Sequence, residues 1–198
     1  MMNIRRLVAT LGLSSALVLS SAGIASAQRW VHADPSGDAV TFTDDETAPT
    51  VAPDQKQGDV VQTTISHTRT KVVIRVRMRA IPRDDWMAFG VIRTPRASFD
   101  LIQMKLAGGR HFGISKGDSE RDVRCAAKSS RIDRTALVFT VARSCLGNPR
   151  WIRAGVGIAT FDGSFLEEDE DDLATYADDA LRRSIGEDIR LSPRLRRG

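Results

Sequence analysis

Between residues 59 and 161 the chain alternates apolar and polar side chains with a period of two, and this rhythm sets the fold. In residues 71–80, Val72, Ile74, Val76, Met78 and Ala80 share one face, while Lys71, Val73, Arg75, Arg77 and Arg79 share the other. Such a period belongs to a pleated strand with one buried and one solvated side. Residues 59–67 carry Val61, Thr63 and Ile65 in phase, and Thr68-Arg69-Thr70 connects the two strands as a hairpin. The series continues through 86–94, 98–106 and, after Gly108-Gly109, 111–115. Residues 122–128 then pair with 136–142 across a turn at 129–133, and the last clear strand is 151–161. There Ile152, Ala154, Val156 and Ile158 alternate with Gly155 and Gly157. Residues 29–32 and 39–43 read as edge strands, and 44–57, with Pro49 and Pro53, as a loop. Eight or nine short strands with no helices between them predict an all-β fold, an antiparallel sandwich or jelly roll. Helical spacing occurs only in 171–183, where Leu173, Tyr176, Ala177, Ala180 and Leu181 predict a short helix, and 191–198 reads as a frayed basic tail.

The first 27 residues have the layout of a secretory signal: Arg5 and Arg6, an apolar run from Leu7 to Ile24, then Ala25-Ser26-Ala27. Cleavage after Ala27 is expected, leaving 198 − 27 = 171 residues, the size of one domain. The expected division is 1–27 signal peptide, 28–165 sandwich domain, and 166–198 acidic segment, short helix and basic tail. No later apolar run approaches spanning length, so the expected product is a secreted or wall-associated monomer without a transmembrane segment. Cys125 and Cys145, an even count in an oxidising compartment, read as one disulfide. Closing that loop contributes roughly 3 kcal/mol in the chain-entropy account.

Charge is unevenly spread. Residues 28–161 hold 21 basic and 14 acidic side chains, whereas 162–198 hold 6 basic and 11 acidic. The simplest reading is internal neutralisation; the sharper one is a cationic surface for an anionic partner. Arg75, Arg77 and Arg79 are the candidate ladder for such a partner, with Trp86 and Trp151 as candidate aromatic contacts. Aromatic residues do not interleave with this ladder as they do in nucleic-acid modules, so nucleic acid is not the expected partner.

Asp34-Pro35-Ser36-Gly37-Asp38 places two carboxylates around a turn, and Gly58-Asp59 repeats the Gly-Asp step at a strand start. Asp and Gly form turns for local reasons. Asp34, Asp38 and Asp59 brought together would instead offer the oxygen ligands that a structural Ca²⁺ needs. No other cofactor is expected. The acidic run 167–172 lacks EF-hand spacing and its glycine. His32, His67 and His111 form no metal-binding motif, and neither a nucleophile elbow nor a phosphate loop occurs.

The segment Arg143-Ser144-Cys145-Leu146-Gly147-Asn148-Pro149-Arg150-Trp151-Ile152-Arg153 resembles one found in uncharacterised exported proteins of high-GC Gram-positive bacteria. So does the pairing of the early Asp-Pro-Ser-Gly-Asp with the later Gly-Asp and the His-Thr strand. The resemblance spans residues 34–161 and implies a sandwich fold without implying an activity. The function expected is a secreted, non-enzymatic module that binds a cell-wall polymer or an extracellular protein. The alternatives are an exported hydrolase using His67 or His111 with loop carboxylates, and a Ca²⁺-stabilised structural module.

Overall fold

The computed structural model describes residues 28–42, 48–107, 109–117, 121–163 and 174–198. The signal-like segment and the acidic run 167–172 lie outside them. The chain is all-β, with two antiparallel sheets. The first has the order β1 (Gln28–Ala33), β4 (Val60–His67), β5 (Lys71–Met78), β11 (Ala136–Ala142), β10 (Lys128–Asp133). The second runs β3 (Thr50–Val51), β2 (Val40–Phe42), β13 (Thr175–Asp179), β12 (Trp151–Phe161), β6 (Trp86–Arg93), β7 (Ser98–Leu106), β8 (Gly109–Lys116), β9 (Arg121–Asp122). A short β14 (Leu195–Arg196) also pairs with β12.

The period-two pattern explains the packing. Val72, Ile74, Val76 and Met78 of β5, with Leu137, Phe139 and Val141 of β11, form the inner face of the first sheet. Against them lie Trp86, Ala88, Ile92, Leu101, Ile114, Ile152, Val156 and Ile158 of the second. Phe139, Ile74, Ile92 and Ile152 are at most 1% exposed, so the core sits between the sheets. Cys125 and Cys145 are bonded, with their Cα atoms 5.6 Å apart. Among the described residues no helix is long and apolar enough to cross a membrane.

Three local expectations differ from the structure. Residues 175–179, expected in a helix, form β13, which pairs with β2 on one side and β12 on the other. Two ladders of backbone hydrogen bonds outweigh the helical spacing of its few apolar residues. The turn expected at 129–133 is itself strand β10; the reversal is at Arg134-Thr135, with Arg134 at a φ of 56°. The C-terminal residues are not frayed either. Leu195 is 2% exposed, its carbonyl faces His67 Nδ1 at 3.0 Å, and the Gly198 N–H donates to the His67 carbonyl at 3.2 Å.

The glycines of β12 explain how the C-terminal segment fits. A Cβ on Gly155 would stand 2.0 Å from the Arg190 carbonyl oxygen. Ser192 then pairs with Ala154 in both directions, N–H to carbonyl at 2.8 Å and Ala154 N–H to Ser192 Oγ at 3.1 Å.

Candidate metal centre

The two Gly-Asp steps foreseen in the sequence meet in space. Gly37 (φ 82°) and Gly58 (φ 80°) are both left-handed, a conformation that costs a side-chain-bearing residue about 1–2 kcal/mol. Each carries its following aspartate around a tight corner into a strand, Asp38 before β2 and Asp59 before β4. Asp34 leaves β1, its N–H donating to the Val61 carbonyl at 3.1 Å. Asp178 arrives from β13. The β4–β5 register shifts between Val60 and Gln62, and there the Val60 N–H donates to Asp178 Oδ2 at 2.6 Å.

Asp34, Asp38 and Asp178 thus offer carboxylate oxygens that all lie within 4.8 Å of one another. The Asp34 side chain is fully buried. Both its oxygens, both Asp38 oxygens and Asp59 Oδ1 are out of contact with solvent and accept no hydrogen bond among the described residues. His32, stacked on Trp30, holds Nε2 3.6 Å from Asp34 Oδ1, and the charge of Arg183 acts on Asp38.

Neighbouring acids each have a guanidinium partner within 2.8 Å, whereas no guanidinium bonds Asp34, Asp38 or Asp178 among the described residues. Asp59 Oδ2 accepts from Arg79 Nη1 and from the Gly37 N–H, each at 2.8 Å. Asp179 pairs with Arg182 at 2.7 Å and accepts the Leu181 and Arg190 N–H groups at 3.1 and 2.9 Å. Asp59, proposed from sequence as a third ligand, therefore stands beside the cluster as half of an ion pair. Asp178 takes its place.

Burial sets the protonation of the cluster. Desolvation, then the charge of Asp178 and the other acids, pushes the Asp34 carboxyl up to about 8. Desolvation also pushes Asp178 to about 8, against the opposing hydrogen bond from Val60. Asp38 and Asp179 are raised too, again chiefly by desolvation. Buried carboxylates with bare oxygens are costly unless a cation or protons neutralise them. An all-oxygen donor set suits a hard cation. A Ca²⁺ holding oxygens at about 2.4 Å bridges ligands about 4.8 Å apart across its sphere.

The other candidate residues do not converge. Arg75 is tied to Asp133 at 2.6 Å and Arg79 to Asp59, leaving Arg77 as the exposed member of the ladder. Trp86 is 2% exposed, and Trp151 is half-buried with the Arg194 guanidinium 4.6 Å over its ring. Trp86 lies opposite Thr160, nine residues along β12 from Trp151, which separates the two by about 30 Å.

His67 is fully buried, and no hydrogen bond or ion pair joins His67 or His111 to a carboxylate among the described residues. Burial, with Arg143 and Arg197 nearby, lowers the His67 pKa, against the hydrogen bond to Leu195. Its folded form favours the neutral ring, so the stability it lends is present above about pH 6.5 and lost as the pH falls toward the depressed folded value. His67→Gln should lose fewer degrees of Tm between pH 7 and pH 5 than the parent protein in thermal melts. An equal loss in both would show that this ring does not set the acid response.

The chain matches no family model, no curated protein and no solved structure.

Proposed function

We propose that this protein is an exported, non-enzymatic β-sandwich module clamped by one Ca²⁺ held between Asp34, Asp38 and Asp178. The observation that carries this reading is the set of buried, unpartnered oxygens on Asp34 and Asp38 facing a third carboxylate from the far end of the chain. The ion would join the β1–β2 turn to β13 and hence to the centre of the nine-stranded sheet. Its chemical role is charge neutralisation, with no bond made or broken. The disulfide and the signal-like first 27 residues favour the cell exterior, where free Ca²⁺ suits modules with dissociation constants of about 0.1–1 mM. A wall polymer or an extracellular protein is the partner class in this reading. Hydrolysis is disfavoured because His67 is bonded to the backbone and shielded, without a carboxylate to orient it.

Calorimetric titration of chelator-treated protein tests the proposal. One Ca²⁺ per chain is expected, with weaker Mg²⁺ binding, because Mg²⁺ prefers to keep its own waters. At 10 mM Ca²⁺ and a Kd of about 0.1 mM the gain is about 2.7 kcal/mol, or a Tm rise of about 5–10 °C that chelator reverses. A Tm indifferent to both Ca²⁺ and chelator would remove the metal from this reading.

A further inference from the structure

At the opposite flank of the cluster the sandwich is not closed. β10 is an edge strand of the first sheet, and among the described residues β8 is bonded beyond β7 only from Ile114 to Lys116. The two free edges leave a cleft of about 200 Å³, with Arg110 and His111 on one wall and Ser130 and Arg131 on the other. Trp86, Gln103 and Leu137 also line it.

Two features mark this cleft as a binding site. The first is the Trp86 indole: the residue is 2% exposed, yet its Nε1 is buried with no hydrogen-bond acceptor. A buried N–H left unsatisfied costs about 1–3 kcal/mol, and indole N–H groups in protein interiors usually find an acceptor. The second is charge. Among the described residues no acidic side chain lines the cleft, whereas two arginines do. The nearest carboxylate to Arg131 is Asp133, 4.0 Å away and engaged by Arg75 at 2.6 Å. An acceptor-rich anion would satisfy the indole and both guanidinium groups, which are suited to two-pronged bonds with carboxylate or phosphate. Apolar walls with a few convergent polar groups are the usual form of a small-ligand site.

We propose that the cleft between β8 and β10 binds a small organic anion, a carboxylate or phosphate on a body of about monosaccharide size, with Trp86 Nε1, Arg110 and Arg131 as its donors. The site is separate from the carboxylate cluster and does not depend on the metal reading.

The three tryptophans allow a direct test, because the protein gives three indole N–H signals in a ¹⁵N–¹H correlation spectrum. Uniformly labelled protein would be titrated with glucuronate, glucose 6-phosphate and glucose, and the Trp86 signal assigned by its loss in Trp86→Phe. One or both anions should move the Trp86 signal while those of Trp30 and Trp151 stay in place, and glucose should have no effect. Glucuronate acting alone would assign a carboxylate ligand, and glucose 6-phosphate alone a phosphate. Arg110→Glu with Arg131→Glu, both exposed positions, should weaken binding at least tenfold while leaving Tm unchanged. A Trp86 signal that none of the three sugars moves, that glucose moves equally, or that still responds after charge reversal would overturn the proposal.

Discussion

In metal-free protein at pH 8, Asp34→Asn and Asp178→Asn should each raise Tm by about 5 °C or more, and each should abolish the expected response to Ca²⁺. Removing a charge from a protein interior ordinarily breaks a pair and destabilises; here it removes repulsion. Both carboxyls titrate near 8 in the fold against 3.8 in the unfolded chain. The fold therefore holds protons that the unfolded chain gives up. The stability tied to these groups is complete below about pH 4 and is lost as pH rises toward 8. Asparagine carries no charge at any pH and keeps a carbonyl to accept the Val60 N–H at position 178. A rise from 3.8 to about 8 corresponds to about 5 kcal/mol at pH 8, and even half of that, at about 2–4 °C per kcal/mol in a chain of this length, raises Tm by about 5–10 °C. The same linkage makes the Ca²⁺ effect grow with pH, small at pH 5 and largest at pH 8, because the ion competes with protons. Scanning calorimetry of the three proteins at pH 5 and pH 8, with and without Ca²⁺, reads all of this. Variants that melt lower than the parent at pH 8 and still respond to Ca²⁺ would mean that these carboxylates are ordinary structural acceptors.

Gly155→Val is expected to lower Tm by about 6–12 °C or to prevent folding, while Gly157→Ala changes it little. The two positions lie on the same face of β12, two residues apart. At Gly155 an added Cβ meets the Arg190 carbonyl oxygen at 2.0 Å and its carbon at 3.0 Å. Backbone cannot rotate away as a flexible side chain can, so residues 189–192 must lift. That forfeits the Ser192–Ala154 pair, the Arg153 Nε bond to the Ser192 carbonyl at 2.9 Å, and the Arg190 N–H bond to Asp179 at 2.9 Å. Overpacking together with lost hydrogen bonds amounts to about 3 kcal/mol. At Gly157 the nearest atom to an added Cβ is the Asp178 carbonyl oxygen at 3.5 Å, an ordinary contact. Thermal melts of both variants decide the matter; equal Tm values would show that the C-terminal segment contributes nothing to the sheet.

The core strands were legible because alternation is local: Val72, Ile74, Val76 and Met78 are buried as a period of two requires. β13 was not legible. Its alanines and tyrosine suit a helical period, and Asp178-Asp179 is a pair that strand interiors normally avoid. A strand that breaks its own propensity marks a position with another task, and Asp178 is the carboxylate that sequence reasoning missed. Asp34 and Asp38 were visible because turn chemistry, with Gly37 between them, ties them to one short motif. The fates of Arg75 and Arg79 were hidden for a different reason: their partners Asp133 and Asp59 lie 58 and 20 residues away, beyond the reach of any local pattern. Trp86 was placed correctly on an apolar strand, but no neighbouring residue signals that its N–H would lack an acceptor.

The carboxylate cluster draws two of its members from the start of the described chain and the third from near its end. A ribosome releases Asp34 and Asp38 long before Asp178 exists, and a polypeptide cut anywhere between them keeps an incomplete donor set. If the proposed ion binds, its capture requires residues 34 to 178 on one chain, so fragments cut between them should show no affinity for it.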